Sequence, residues 1–396
     1  MTVVPIFWLF LGILLALATF PGTVELLLVT IGGILPPRKK SPSTNTAGRT
    51  PQRFAVVVPA HNEEGGIQRC VTSLRACEPL GEYFSIVVVA DNCTDATAAR
   101  AHAAGARVLE RRDLQNRGKG YALDFAFNLL LAEGIEAVVV VDADTVVEPN
   151  LLSEFRRLFA NGADAIQARY CVQNPEASIR TRLMNVALLA FNVLRLRGRE
   201  RWGLSVGILG NGFALTRDTL CAVPYDARSV VEDLEYHLRL VRRGYRVRFA
   251  DATSVRGEMP TSGSGVTTQR ARWEGGRFRM IAEVAPSLFK EVLSGRLTLL
   301  EPLLELLLLP LAFHVTLLLF TLLPPVVFLR LYAGVALNIV LWHILAGIWV
   351  GNGSLKDVAA LAFAPVYVLW KIALIPALLR STKKATEWIR TERTHS

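Results

Sequence analysis

The chain has 396 residues, 52% of them hydrophobic, and a formal net charge of +10. Its positive mean hydropathy excludes an ordinary soluble domain and calls for a folded domain plus membrane segments. The basic residues gather in Arg38–Arg53, Arg195–Arg201 and Arg380–Arg393, beside apolar stretches and not in an aromatic-interleaved stripe, so the expected partner is a lipid bilayer and not nucleic acid. Five cysteines without paired C-x-x-C spacing fit a reduced compartment and argue against a zinc site.

Val3 to Leu35 is an almost uncharged run, long enough to cross a bilayer once and short for two spans, with Pro21-Gly22 as a candidate kink. No basic region precedes it and no small-residue cleavage site is evident, so residues 1–35 read as a retained anchor. Residues 36–53 are a basic linker, which places the following domain, residues 54–295, in the cytoplasm.

From Phe54 the pattern becomes strand, polar loop, helix. Phe54–Val58 is an apolar strand ending in Pro59-Ala60-His61-Asn62-Glu63, and Ser85–Ala90 is a second, ending in Asp91. Ala106–Leu109 is a short third strand, and Asn116-Arg117-Gly118-Lys119-Gly120 leads into a helix from Tyr121 to Glu133. The run from Ala137 to Val141 makes a strand buried on both faces and ends in Asp142-Ala143-Asp144. This recurrence predicts an α/β fold of βαβ units on a parallel sheet, with acidic and amide groups collected beyond the carboxyl ends of the strands, where such sheets bind ligands. Asp142 and Asp144 face the same way if strand geometry continues, and two hard oxygen ligands suit a divalent cation that also grips a phosphate; a solvated turn uses the same residues. Asp91 fits a helix cap as well as a ligand contact, Lys119 a turn as well as a cation near a nucleotide, and His61 is a loop residue.

A helix over Asn150–Asn161 and a strand near Ala165–Tyr170 come next. Ser178–Arg199 is helical, with Leu183, Val186, Ala187, Ala190, Phe191 and Leu194 on one face, a pattern that fits a buried helix and a helix at the membrane surface equally. Gly210-Asn211-Gly212-Phe213 permits close approach of a ligand or a tight turn into a strand. Glu232 and Asp233 open a helix to Arg243, where carboxylates suit the helix dipole or can accept a proton at a site rim. After a strand over Gly244–Ala250 and a loop at Thr261–Gly265, Gln269-Arg270-Ala271-Arg272-Trp273 begins a basic helix that offers an amide, a bidentate phosphate donor and a stacking surface. In residues 296–380, Leu303–Leu323, Val326–Val350 and Val358–Leu379 are each long enough to span, and residues 381–396 are a basic tail. Arg330 and Lys371 within them either snorkel to headgroups or line a polar path. Three spans put the tail outside, yet its charge prefers the inside. Either one stretch is interfacial or re-entrant, with the first, carrying Pro302, Pro310, Pro324 and Pro325, the candidate, or the charge rule fails.

In this order, Pro59-Ala60-His61-Asn62-Glu63, Asp91, Lys119, Asp142-Ala143-Asp144, Glu232-Asp233 and Gln269-Arg270-Ala271-Arg272-Trp273 resemble the family 2 glycosyltransferases, over roughly Phe54 to Arg279. The resemblance is to the membrane branch containing cellulose, hyaluronan and poly-N-acetylglucosamine synthases. It implies a GT-A (Rossmann-like, nucleotide-sugar-binding) catalytic domain between N- and C-terminal transmembrane helices. The implied activity is inverting transfer from a nucleotide-sugar, usually a UDP-sugar, to a polysaccharide acceptor with a β-linkage, or alternatively single transfer to a lipid or lipid-linked acceptor. Pro59, Ala60, Asn62, Glu63 and Asp91 would hold the nucleoside, with Lys119 near the donor. Asp142 and Asp144 would serve the donor and its Mg2+ or Mn2+, Asp144 as the more direct ligand, and Asp233 would be the general base. Arg272 would close over the diphosphate, with Gly210, Asn211, Glu232, Gln269 and Trp273 on the acceptor side.

Val231, where cellulose and hyaluronan synthases tend to have Thr, and the Gly210-Asn211-Gly212-Phe213 loop depart from those enzymes and leave acceptor and product open. A silent nucleotide-sugar sensor or membrane scaffold is the reading from another class, and retention of Asp142, Asp144, Asp233 and Arg272 together argues against it. The expected setting is an integral protein of the inner or plasma membrane, with a homo-oligomer or an export partner if the product is a polymer.

Overall fold

The computed structural model describes residues 6–36, 50–78, 83–229, 231–261 and 264–373, and the side chains among them outside residues 264–274. Most of the expected basic linker and all of the basic tail lie outside the described residues.

The chain opens with the apolar helix α1 (Ile6–Ile34), which runs through Pro21. The βα units follow: β1 (Arg53–Ala60), α2 (Ile67–Arg75), β2 (Tyr83–Asp91), α3 (Thr97–Ala103), β3 (Arg107–Arg111), α4 (Lys119–Ala132) and β4 (Ala137–Val140). Then come β5 (Thr145–Val147), α5 (Leu151–Ala160), β6 (Ala165–Val172), α6 (Ile179–Leu188), a π-helical turn (Leu189–Leu194) and α7 (Arg195–Trp202). β7 (Phe213–Thr216), α8 (Arg217–Ala222), α9 (Glu232–Arg242), β8 (Val247–Gly257) and the long α10 (Ser264–Leu293) complete the middle of the chain. The last helices are α11 (Leu300–Leu307), α12 (Leu311–Thr321), α13 (Val327–Val350), α14 (Leu355–Ala360) and α15 (Ala364–Ala373).

These elements fall into two compact units. One takes in Arg38–Thr181 and Gly203–Gly276, the other Met1–Pro37, Arg182–Trp202 and Arg277–Lys383. The first unit is an eight-stranded sheet in the order β3-β2-β1-β4-β7-β6-β8-β5. The expected parallel pairing holds from β3 to β4. Beyond β4 the sheet is mixed, because β7 pairs antiparallel with both β4 and β6 while β6 and β8 run parallel. Val56, Val58, Val88, Val139 and Ile166 on the strands meet Ile67, Val71 and Leu74 of α2 and Leu151 and Phe155 of α5 in one core. Burial on both faces is why β1, β2 and β4 read as unbroken valine runs.

The second unit is helical. α1 and α13 are each long and apolar enough to cross a membrane, and the segments Leu297–Leu307 and Leu311–Thr321 form a pair bent by 79°. The first of the three expected spans is therefore broken, at the Leu308-Leu309-Pro310 step; Pro310 cannot donate its nitrogen to a continuing helix. The third expected span is, as far as residue 373, two short helices joined by a tight turn. From Arg182 to Trp202 the chain belongs to this unit, where α7 packs on α1 and the π-helical turn packs on α13. Arg330 caps the turn before its own helix, donating from Nε to Leu322 O and Pro324 O at 3.1 and 3.0 Å.

Candidate active site

Parallel pairing of β1, β2 and β4 brings their carboxyl ends side by side. After β1, Asn62 takes a left-handed conformation (φ 55°), which its short side chain tolerates, and its Oδ1 accepts from Thr94 N at 2.8 Å. Glu63 N donates to Thr97 Oγ1 at 2.8 Å, and His61 Nδ1 lies 2.7 Å from Asp91 O. These bonds tie the Pro59–Glu63 loop to the loop after β2. The Asp91 side chain is buried and meets Arg111 Nη1 at 2.7 Å and Asn92 Nδ2 at 3.1 Å, both through Oδ1. Arg111, at the end of β3, also meets Asp113 at 3.0 Å. Sequence reasoning misses Arg111 and Asp113: the signal is a charged strand end, but the apolar pattern of β3 stops at Leu109.

The acidic residues after β4 do not continue the strand. Thr145 N donates to Asp142 O at 3.1 Å, so Asp142-Ala143-Asp144 is a tight turn that sends the chain into β5. The expectation that both carboxylates share one strand face is corrected accordingly. Gly66, after the first loop, packs against this turn, and a Cβ there would lie 3.3 Å from Ala143 O. Asp142 pairs with Lys119 Nζ, which also donates to Gly210 O at 2.5 Å. Lys119 stands at the first position of α4, so that helix sets where its ammonium enters. Asn211 is fully enclosed, its Oδ1 accepting from Asp142 N at 3.1 Å and its Nδ2 donating to Thr145 Oγ1 at 2.8 Å. Both ends of that amide brace the acidic turn.

Gly210 (φ +77°) lets the same loop approach α9: a Cβ on it would lie 3.2 Å from Asp233 Oδ2. Asp233 Oδ1 accepts from Leu234 N at 2.8 Å in the first turn of α9. Burial pushes the Asp233 carboxyl above its ordinary range, against the pull of the Leu234 N–H and the Lys119 ammonium. Glu232 is pushed up to about 7, first by burial and then by the neighbouring Asp233. Burial draws Lys119 down, but Asp142, Glu232 and Asp233 outweigh it and hold its pKa above the ordinary value. One cation and three carboxylates from α4, the acidic turn and α9 thus act on each other, a pattern typical of reactive sites.

Thr145 Oγ1 lies 3.2 Å from Asp144 Oδ1. Among the described residues no three His, Cys, Asp or Glu side chains gather as a metal centre. Two carboxylates on a turn nevertheless fit Mg2+ or Mn2+, which take few protein ligands and complete their shell with substrate phosphate and water. Gln269, Arg272 and Trp273 lie on the α10 helix; their side chains fall outside the described residues.

The profile of the family described as Glycosyltransferase like family 2 matches residues 51–276. A probable glycosyltransferase of Bacillus subtilis, YdaM, is 25% identical over 60% of this chain and 58% of its own length. A beta-monoglucosyldiacylglycerol synthase of Synechocystis is 29% identical over 58% of this chain and 49% of its own. A probable glucomannan 4-beta-mannosyltransferase of Arabidopsis thaliana is 25% identical over 56% and 42%. The matches therefore span about two-fifths to three-fifths of the length of these relatives. Among solved structures, the mannosyltransferase PcManGT of Pyrobaculum calidifontis, in complex with GDP-Man and Mn2+, superposes with a TM-score of 0.56 at 18% identity, over 94% of this chain and 96% of that one, which shows a shared GT-A architecture. A profile match across more than half of the chain, on the sheet that carries these loops, establishes that the protein belongs to glycosyltransferase family 2.

Proposed function

We propose that the protein is a membrane-bound inverting hexosyltransferase that moves a sugar from a nucleotide-sugar to an acceptor held at the bilayer. The observation that carries this reading is the placement of Asp233 against the Gly210 turn, within the fields of Lys119 and Asp142. Asp233 takes the proton of the acceptor hydroxyl as that oxygen attacks, and its raised affinity for the proton suits it to the task near neutral pH. Attack in line with the departing diphosphate inverts the anomeric carbon, so an α-linked donor gives a β-linkage. Asp91 supports the nucleoside: among the described residues its contacts use Oδ1, leaving Oδ2 for a donor N–H or O–H.

Asp144, with Asp142 beside it, would hold Mg2+ or Mn2+, which supplies charge neutralisation to the leaving diphosphate. Lys119 balances Asp142 and fixes the Gly210 carbonyl, which keeps the acidic turn and the base in register. Arg272 adds a bidentate phosphate donor.

A UDP-sugar is the first donor to test; the Pyrobaculum enzyme holds GDP-Man, so GDP-sugars belong beside it. For the acceptor, a lipid or lipid-linked sugar is the first reading, supported by the membrane-length helices and by the 29% identical diacylglycerol glycoside synthase. Polysaccharide growth is the second, supported by the Gln269-x-x-Arg272-Trp273 series and the glucomannan mannosyltransferases.

The test is release of UDP or GDP by the purified full chain in lipid vesicles with Mn2+ or Mg2+, with and without diacylglycerol. Asp233→Asn is expected to lose about 10²- to 10⁴-fold in kcat. Product size then separates one added sugar from a polymer. Undiminished turnover by Asp233→Asn refutes the base assignment, and no turnover with any donor refutes the transferase reading.

A further inference from the structure

Helix α13 carries two rows of side chains on opposite sides, both with steps of three and four residues. Leu329, Ala333, Ala336, Val340 and His343 are buried, and on that side α1, α12 and the π-helical turn pack against the helix. Leu331, Val335, Asn338, Trp342, Leu345 and Trp349 form the other row and are exposed, Leu331 and Val335 to 65% and 61%.

The apolar members of the exposed row suit lipid. Asn338 does not. It stands at the middle of the helix, about 17 Å along the axis from Val327 and about 18 Å from Val350. In a spanning helix that is inside the roughly 30 Å of hydrocarbon, whichever end meets which surface. Asparagine is also too short to carry its amide to the headgroups, as lysine and arginine do. One N–H is satisfied within the helix, where Nδ2 donates to Gly334 O at 2.8 Å. Among the described residues the second N–H and Oδ1 have no partner, and acyl chains offer none.

We propose that α13 is the seam of a homodimer, in which two copies of the helix pack in parallel along this row and their Asn338 amides bond to each other. The proposal rests on the reading of α13 as a membrane span. Copies of one chain inserted in one membrane share an orientation, so the twofold axis of a pair runs along the membrane normal and sets equal residues opposite each other. The amide has a donor and an acceptor left over, which makes it its own complement: each free Nδ2–H given to the other copy's Oδ1 satisfies both. The steps of three and four average 3.5 residues, the period of a left-handed helix pair, and a single asparagine in such a seam fixes its register. A Cβ on Gly334 would meet nothing within 4 Å, so the space beside the amide is open to a second helix. Lipid would cover the leucines and tryptophans equally well but leaves the amide unbonded, and a helix of another protein would need a polar group at the same depth.

The test is Förster transfer between full chains carrying one or the other of two fluorophores on a C-terminal tag, in phosphatidylcholine vesicles at a series of protein-to-lipid ratios and without donor sugar. Transfer in the parent protein is expected to rise to saturation as the ratio increases. Asn338→Leu, which keeps the row apolar, is expected to raise the dissociation constant about 5- to 30-fold, and Asn338→Gln, which keeps the amide, to change it by less than about threefold. Transfer no greater than random proximity gives at every ratio leaves lipid or another protein on the row and overturns the proposal, as does Asn338→Leu associating like the parent. Release of the chain from the vesicles by alkaline carbonate refutes the spanning premise and the proposal together, whereas a chain that is retained but monomeric refutes the proposal alone.

Discussion

Gly210 has two jobs that no other residue can do together. Its positive φ is open to glycine at little cost, and the missing Cβ gives Asp233 room. Gly210→Ala is expected to push the carboxylate by a fraction of an ångström and to lower kcat about 10²-fold, with donor binding nearly unchanged, since misplacement on this scale is costly to a proton transfer; steady-state kinetics against donor and acceptor check this. Lys119 bears on the same carboxylate through charge. With Asp233 raised by burial and held in check by the ammonium, the acid limb of kcat/KM lies above the ordinary carboxylate range, and activity falls about tenfold per pH unit below it. Lys119→Met removes a positive charge that favours the ionised form, so the limb moves to higher pH, and a pH–rate profile of the two proteins reads the shift. At this scale the sequence was most legible where a residue's chemistry is its own. Asp91, Lys119, Asp142 and Asp233 stand out as charged residues at loop and helix starts, and their order along the chain singles them out together. Asn211 and Arg111 could not be assigned their work, because what an amide or a guanidinium does depends on partners 20 to 69 positions away.

Elements were legible where a single period runs long enough to speak. The valine runs of β1, β2 and β4 announce buried strands, and their parallel order follows from the intervening helices. The second half of the sheet was not readable in the same way. β7 is reached through a glycine-rich loop, and nothing local in Phe213–Thr216 says that it will pair antiparallel with β4. The acidic turn was misread for a related reason: two aspartates after a strand fit an extended chain and a reversal equally. The proline-marked corner between α11 and α12, in contrast, was legible because Pro310 removes a donor wherever it stands. The apolar pattern leading into α7 fits core and membrane surface equally, and the arginines of α7 tell them apart. Arg199 is almost wholly buried and meets glutamates from both α1 and α11. Arg199→Met leaves those carboxylates enclosed with fewer positive partners, and an expected loss of about 3 kcal/mol appears as a lower Tm in detergent, followed by the helical circular dichroism signal.

The whole molecule is two kinds of solvent problem solved in one chain. The sheet unit buries its apolar strands against its own helices, whereas the helical unit keeps apolar surface outside and polar groups within. Thr30 Oγ1 meets His343 Nδ1 at 2.7 Å and Thr23 meets His314 Nε2 at 3.3 Å, so the polar side chains of α1 bind those of α13 and α12. Hydropathy alone reads α1 as a plain anchor. Its close contacts say otherwise. A Cβ on Gly33 of α1 would fall 2.5 Å from Leu194 O, and one on Gly198 of α7 would fall 2.2 Å from Val29 O of α1, so at two places its backbone lies directly on a neighbour's. Most membrane anchors are interchangeable, and any greasy helix of the right length serves to tether what it carries. Helix α1 is a fitted part: a substitute of equal length and hydropathy brings side chains where there is no room and omits Glu25, which meets Arg195 and Arg199. The practical corollary is for heterologous production, where trading α1 for a stronger leader helix would deliver the chain to a membrane yet leave it unable to assemble there.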